Sequence, residues 1–277
     1  MDKERINQIR IPVLGLLMIL FVGCATEDTQ TVANFTSQIT MQDEFDTDGA
    51  PNGNVWGFDI GTGENGWGNN ELQYYTNRTE NVKVENGVLL ITAQREDFEG
   101  SSFTSARLLT KDRFEQAFGR FEARIRLPYG QGMWPAFWML GADIDENPWP
   151  AAGEIDIMEY RGQNPSVLIG SVHGPGYSGG NAISKEFELL NDRFDTSFHV
   201  FGVEWSPDAV NFYVDDVLYN QITREDVTGT WVFDKPFFIL MNLAVGGTFV
   251  GSPNTETVFP QSMLVDYVRV YENTNVR

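Results

Sequence analysis

The sequence of 277 residues contains one cysteine and two histidines. A single cysteine excludes a disulfide bond within the chain. The histidines, His173 and His199, are far apart in sequence and no second cysteine accompanies them, so the clustered Cys and His ligands of a zinc site are absent. The sequence therefore indicates neither a disulfide framework nor a zinc centre.

Basic residues are also scarce, with 19 Lys and Arg against 39 Asp and Glu and a formal net charge of −20. Nucleic-acid-binding proteins carry basic patches, so this composition argues against a nucleic acid partner. An acidic surface also repels anionic polymers. The composition favours a neutral or weakly charged ligand.

Long hydrophobic runs are missing except near the N-terminus, where the apolar run 11–22 follows a basic start. This run is too short to span a bilayer and is typical of an export signal. Gly23 precedes the lone Cys24, a pattern that resembles the cleavage box of a bacterial lipoprotein. An ordinary secretory signal is the alternative. We expect export and lipidation at Cys24, with Ala25 favouring the outer membrane.

These signals divide the chain into three parts. Residues 1–23 are the signal peptide, residues 24–40 are a polar tether, and residues 41–273 are one domain of a length that suits a large β fold. The sequence predicts an outer-membrane lipoprotein or a cell-surface protein, and otherwise a periplasmic or secreted one. Contact with a membrane would come only through the lipid anchor.

Helical patterns are absent beyond the signal, and short β-branched or aromatic runs take their place. The Glu85-Asn86-Gly87 segment predicts a hairpin turn between two of these runs. Residues 121–127 alternate apolar and charged side chains, which predicts a half-buried strand. Residues 236–245 are almost entirely apolar, which predicts a central strand. The pattern indicates an all-β sandwich or barrel.

Three carboxylates lie close together in the segment 152–160, at Glu154, Asp156 and Glu159. Alternate side chains of a strand share a face, so Glu154 and Asp156 point the same way and Glu159 would point into the core. An isolated charge there would be costly. A β-bulge at Met158 would return Glu159 to the face of the other two.

Carboxylates this close cannot all ionise easily, so at least one pKa should be raised. A protonated carboxylic acid beside an ionised carboxylate is the working pair of a glycosidase. The alternative is a strand with a polar, solvated face, which could border a metal site.

Aromatic residues surround this segment. Trp134, Ala136 and Trp138 would share one strand face, and Trp149 lies in the turn that leads to Glu154. Tryptophan often packs in cores, but a face that also carries carboxylates is better suited to a cleft. The residues 69–76 combine amides and aromatic rings, which suits sugar binding as well as an ordinary loop.

At this point the sequence resembles glycoside hydrolase family 16. Gly-Glu-Ile-Asp-Ile-Met-Glu-Tyr (153–160), preceded by Trp-Pro-Ala-Phe-Trp-Met-Leu-Gly (134–141), is similar to the laminarinase branch, the endo-β-1,3-glucanases. Four further stretches agree with it, at 69–76, 198–207, 242–247 and 259–271. The resemblance covers nearly the whole chain after the signal.

The resemblance implies a β-jelly-roll sandwich of two antiparallel sheets with a concave substrate cleft. It implies a retaining double displacement on β-1,3-glucan, a neutral polysaccharide, with no cofactor for catalysis. Glu154 would be the nucleophile, Glu159 the general acid/base, and Asp156 a hydrogen-bond partner of the nucleophile.

The resemblance also implies further site residues. Those expected to contact sugar are Trp134, Trp138, Trp149, His173, Asn69, Glu71 and Arg107. Phe249 takes the place of a tryptophan that laminarinases commonly carry after the paired glycines 246–247. A structural calcium, as in many family members, would use Glu44, Gly87 and Asp266, since oxygen ligands suit calcium.

Other interpretations remain open. The same fold could act on mixed-linkage β-glucan or on an algal galactan such as agar, and the replacement at Phe249 bears on that choice. A non-catalytic surface glycan-binding protein is the alternative outside enzymes. Both Glu154 and Glu159 are present, which favours an enzyme. We expect a monomer.

Overall fold

The computed structural model describes residues 38–272, and nearly all of its regular structure is β-strand. The strands are β1 (Ile39–Asp43), β2 (Gly57–Asp59), β3 (Gln73–Tyr75), β4 (Val82–Glu85), β5 (Val88–Phe98), β6 (Ser101–Ser105), β7 (Arg107–Leu109), β8 (Gly119–Arg126), β9 (Met133–Gly141), β10 (Glu154–Tyr160), β11 (Val167–His173), β12 (Ile183–Glu188), β13 (His199–Trp205), β14 (Ala209–Val214), β15 (Val217–Thr223), β16 (Phe237–Val245) and β17 (Gln261–Tyr271). Two short helical turns interrupt them, at Gly66–Asn70 and Gly179–Asn181.

The strands form two sheets. The first has ten strands in the order β15-β14-β13-β8-β17-β5-β6-β3, with β1 paired to β17 and β4 paired to β5. The second has seven strands in the order β12-β11-β10-β9-β16-β7-β2. All pairs are antiparallel except β3 with β6, which is parallel. The architecture confirms the predicted β-sandwich, with this one departure from two purely antiparallel sheets.

The core lies between the two sheets. Strand β16 is buried along its whole length and pairs with both β9 and β7, which confirms the predicted central strand. Ile155 and Ile157 of β10 point into the same core as Phe201 and Phe212 of the opposite sheet. The carboxylates of β10 are thereby directed to the other face of the seven-stranded sheet.

The turn predicted between β4 and β5 is present. Asn86 and Gly87 both have positive φ angles, 54° and 74°. Two consecutive positive φ values are typical of the tight turn that matches the twist of a hairpin, and Asn-Gly adopts it readily. The local sequence is sufficient to explain this connection.

The outer face of β8 departs from the prediction of a half-buried strand. Arg120 and Glu122 are both buried, because Arg120 forms ion pairs with Glu122 and Glu204 and also with Asp216. Tyr213 donates a further hydrogen bond to Glu204. Neighbouring strands therefore cover charges that the alternation had assigned to solvent.

Strand β1 begins at Ile39, two residues before the predicted start of the domain. The predicted signal peptide, Cys24 and most of the polar tether lie outside the described residues. Among residues 38–272, no helix is long and apolar enough to cross a membrane.

Candidate active site

The carboxylate row, meaning Glu154, Asp156 and Glu159, lies on β10 between β9 and β11. Asp156 pairs with Trp138 of β9, and the next pair joins Met158 to Phe137, so one residue of β10 has no counterpart. The pairing with β11 shifts at the same place, between Asp156 and Glu159. This register shift confirms a bulge in the predicted segment, although the residue left without a partner on β9 is Ile157 and not Met158.

The strand β11 accommodates the bulge with a glycine. Its pairs skip from Ser171 opposite Asp156 to Ile169 opposite Glu159, which leaves Gly170 facing the bulge. A Cβ atom on Gly170 would lie 2.3 Å from the hydroxyl oxygen of Tyr219. The backbone therefore packs closely against side chains of the other sheet here, and a side chain at this position would force Tyr219 or Phe212 to move.

The bulge brings three carboxyl groups together in a buried position, and this raises the pKa of each one. Burial, the largest cause, and the charge of Asp156 raise the pKa of Glu154 to about 8. Burial and the charge of Asp156 also raise the pKa of Glu159 to about 8. Burial raises the pKa of Asp156 itself to about 8, opposed by a hydrogen bond with Glu154. The row therefore retains protons near neutral pH and can supply a general acid.

His173 lies opposite Glu154 on β11. The backbone N–H of Gly179 donates to Nδ1 of His173 over 3.1 Å, so the proton of the neutral imidazole is on Nε2. This Nε2 lies 2.9 Å from Oδ2 of Asp156 and 3.6 Å from Oε1 of Glu154. His173 is thus held with a polarised N–H against the row, and it lowers the pKa of Glu154.

Two tryptophans contact the ends of the row. Trp134 donates its indole N–H to Oε1 of Glu159 over 3.1 Å. A hydrogen bond from the side chain of Trp149 lowers the pKa of Glu154. Trp149 is 46% exposed, whereas Trp134 is buried against Phe249. The two carboxylates at the ends of the row therefore have different surroundings.

The row opens into a groove on the seven-stranded sheet with a volume of about 1000 Å³. Its walls include every residue that the sequence assigned to catalysis or sugar contact: Asn69, Glu71, Arg107, Trp134, Trp138, Trp149, Glu154, Asp156, Glu159, His173 and Phe249. The fold therefore brings together residues that are up to 180 positions apart (249 − 69 = 180).

Trp138 forms part of an ordered stack on the groove floor. Its indole N–H donates to Oδ1 of Asn242 over 2.8 Å. The guanidinium of Arg107 lies 4.8 Å from the Trp138 ring and 4.7 Å from the ring of Trp67. A carboxylate oxygen of Asp59 lies 3.0 Å from Nε of Arg107, and this ion pair helps to fix the guanidinium between the two rings.

Trp67 and Asn242 were missed as site residues. Trp67 lies in a glycine-rich loop, and its φ of 55° places the ring back over the sheet, which no local pattern signals. Asn242 could have been found, because it is the single polar side chain in the otherwise apolar strand β16. Its Oδ1 accepts the indole N–H of Trp138, which accounts for a polar side chain at this buried strand position.

Glu71 lies at the other side of the groove from the row. It accepts hydrogen bonds from Gln73 at 2.7 Å, from the Tyr75 hydroxyl at 3.1 Å and from Asn69 at 3.4 Å. Burial raises its pKa, although these hydrogen bonds and Arg107 act in the opposite direction. The cluster presents oriented amides and a carboxylate, which suits the hydroxyl groups of a sugar.

Three ligand atoms, from Glu154, Asp156 and His173, lie within 4.8 Å of one another, and they form the acidic and histidine group close enough to bind a metal within residues 38–272. The predicted calcium residues are elsewhere. Arg269 pairs with the carboxylate of Glu44, and Arg124 pairs with that of Asp266. Both carboxylates therefore have an arginine partner in this structure, and the calcium site at Glu44, Gly87 and Asp266 stays a prediction.

Comparison with known proteins agrees with this geometry. The family described as glycosyl hydrolases family 16 matches residues 69–269. A β-glucanase from Rhodothermus marinus is 43% identical over 269 residues, covering 93% of each chain. A glucan endo-1,3-β-glucosidase from Cryptopygus antarcticus is 42% identical over 228 residues, covering 77% of this chain and 82% of that one.

A solved structure gives the same result. The catalytic domain of an endo-1,3-β-glucanase (laminarinase) from Thermotoga petrophila superposes with a TM-score of 0.82 at 45% identity, covering 86% of this chain and 98% of that one.

Proposed function

Because the chain belongs to glycosyl hydrolase family 16, we propose that it cleaves internal β-1,3 bonds of laminarin-type glucan and retains the anomeric configuration. The observation that carries the proposal is the bulge of β10, which places Glu159 on the groove face beside Glu154 and Asp156. Relatives named for β-1,3-glucan support the choice of polymer.

In the first step, the carboxylate of Glu154 attacks the anomeric carbon of the bound sugar. Glu159 gives its proton to the glycosidic oxygen as the bond from that oxygen to the anomeric carbon breaks. The products are a glycosyl ester on Glu154 and a free sugar hydroxyl. In the second step, Glu159 takes a proton from water, the water oxygen attacks the anomeric carbon, and the ester breaks.

Glu159 must be protonated at first, and burial raises its pKa. Glu154 must be ionised when it attacks, and His173 opposes the burial and the charge of Asp156, which raise its pKa. Asp156 is 3% exposed and lies between the two. Carboxylates perform both steps, so the reaction needs no cofactor.

The groove explains how a neutral polymer is held. Trp138 and Trp149 provide rings on which sugar faces can stack, and Glu71 with Asn69 provides hydrogen-bonding groups for hydroxyls. Rings that are already oriented lose little entropy when a ligand binds. A polysaccharide is therefore the substrate class that matches the lining.

The test is reducing-end release by residues 25–277 from laminarin, lichenan, agarose and carrageenan in parallel, with the anomeric form of fresh product followed by NMR. We expect release mainly from laminarin with a β product. Glu154→Gln should remove turnover, whereas Glu188→Gln, an exposed change on β12, should not. An α product at first release would refute the double displacement.

The same panel separates the alternatives. Release only from lichenan or from a galactan would retain the catalytic roles and change the polymer. Binding of laminarin without release from any polymer would instead indicate a glycan-binding protein.

We also propose that the protein is exported and anchored by a lipid on Cys24, and that its domain is monomeric. The N-terminal sequence pattern supports export. Fractionation of cells that express the wild type or Cys24→Ala tests the anchor, since the variant should leave the membrane fraction. A calcium requirement would be detected as a lower melting temperature in EGTA than in calcium.

A further inference from the structure

A cation lines the groove beside the general acid and has no acidic partner. Arg161 directly follows the last residue of β10. It is two residues from Glu159, and both side chains line the groove. Arg161 forms no salt bridge among residues 38–272, and its buried Nε atom has no hydrogen-bond partner there. The other arginine in the groove lining, Arg107, has Asp59 as its ion-pair partner.

Phe249 holds this guanidinium in place. The Cζ atom of Arg161 lies 4.1 Å from the centre of the Phe249 ring. The other neighbour of that ring is Trp134, at 5.0 Å and a tilt of 38°, and Trp134 donates to Glu159. Arg161, Phe249 and Trp134 therefore form one packed unit around the general acid.

These contacts indicate a structural role for Phe249. The resemblance placed it where laminarinases commonly carry a tryptophan. The ring is half-buried in the groove wall, with Arg161 over it and Trp134 against it. Its role in this structure is to seat a guanidinium, which is always charged, at the edge of the carboxylate row.

We propose that Arg161 is a positioning residue that acts through Glu159. Its positive charge stabilises the carboxylate that Glu159 becomes when it gives its proton in the first step and that takes a proton from water in the second. The proposal rests on the proposed function, because it takes Glu159 as the acid/base. The acid must give up a proton in one step and take one in the next, so its affinity for the proton must be balanced.

The groups that face Glu159 act in two directions. Burial and the charge of Asp156 raise its pKa, whereas His173, the hydrogen bond from Trp134 and the charge of Arg161 lower it. Glu154, the other member of the row, is coupled to Glu159 by charge repulsion. Arg161 is the permanent cation in this set, because a guanidinium is always protonated, whereas the charge of an imidazole depends on pH.

The experiment is the pH profile of kcat/KM on laminarin for the wild type, Arg161→Gln and Arg161→Lys. Without the cation Glu159 keeps its proton to higher pH, so the alkaline limb of Arg161→Gln should move to higher pH. Arg161→Lys retains the charge and should leave the limb near that of the wild type. The glycosyl ester should also accumulate in Arg161→Gln on the acid side, because the base form is depleted.

A matched control is Arg95→Gln, which removes the same charge from an arginine stacked 4.9 Å over Phe259 in a separate surface pocket. Its profile should match that of the wild type. Phe249→Leu keeps the charge of Arg161 but removes the ring on which its guanidinium packs. The alkaline limb of this variant should also move to higher pH, by less than in Arg161→Gln. If Arg161→Gln fails to fold, this variant decides the question.

The two proposals fail in different ways. An active wild type whose alkaline limb is unchanged in Arg161→Gln, or in Phe249→Leu where that variant decides, would overturn the role of Arg161 and leave the hydrolase standing. An equal shift in Arg161→Lys and Arg161→Gln would also overturn it, because packing rather than charge would then be responsible. A wild type without hydrolysis would overturn the proposed function itself.

Discussion

Replacing Trp138 by alanine should weaken the binding of β-1,3-glucan oligosaccharides without unfolding the protein. The indole is held by Asn242 and by the guanidinium of Arg107, so it is ordered before the ligand arrives. Stacking of a planar ligand on an aromatic side chain contributes roughly 1–3 kcal/mol. At about 1.4 kcal/mol for each tenfold change, the dissociation constant should rise by about 5-fold to 140-fold.

The assay is calorimetric titration of a laminarin oligosaccharide into Glu154→Gln, with and without Trp138→Ala, because the first change prevents turnover. Trp138→Phe is the matched control, since it keeps a ring and loses only the bond to Asn242. Leaving the buried Oδ1 of Asn242 unpaired should cost about 1–3 kcal/mol of folding free energy with a small change in affinity. A folded Trp138→Ala variant that binds as tightly as its parent would refute the assignment of this ring to the sugar.

Further predictions concern the carboxylate row. Glu159→Ala should slow both steps and be partly rescued by azide, measured as glycosyl azide formation; full activity without azide would contradict its role. Asp156→Asn should move both limbs of the kcat/KM profile to lower pH, because its charge raises the pKa of Glu154 and of Glu159; unchanged limbs would contradict this. The pKa of Glu154 rises from 4.5 to about 8 on folding, so the folded state binds more protons in that window and stability should fall as pH rises from 5 to 8. Urea unfolding should show a smaller fall for Glu154→Gln, and an equal fall would count against the burial of this group.

Much of the site could be predicted because its residues lie in one short segment. In a regular strand Glu159 would point away from the face that Glu154 and Asp156 share. A bulge with one extra residue was needed to bring it back, and β10 contains that residue. The alternation of Trp134 and Trp138 with apolar residues likewise assigned them to the groove face. In both cases the two-residue period of a strand was enough.

The prediction failed where a side chain depends on distant neighbours. The alternation in β8 assigned Glu122 to solvent, but Arg120 and the strands beside it bury the pair. The ion pairs of Arg269 with Glu44 and of Arg124 with Asp266 likewise join distant parts of the sequence, and no local pattern predicts them. Local periodicity reports which face a residue occupies and not what covers that face.

The sequence by itself determined the β-strand class, the face on which the carboxylates lie and the need for a bulge, because these follow from local periodicity and from the cost of burying a charge. Only the tertiary structure decided that Arg107 is held between Trp67 and Trp138, that Gly179 orients His173, and that Arg161 lies over Phe249. These contacts join residues from separate strands and loops. They depend on how the sheet curves and on which loops fold over it, which long-range packing sets and no short stretch of sequence encodes.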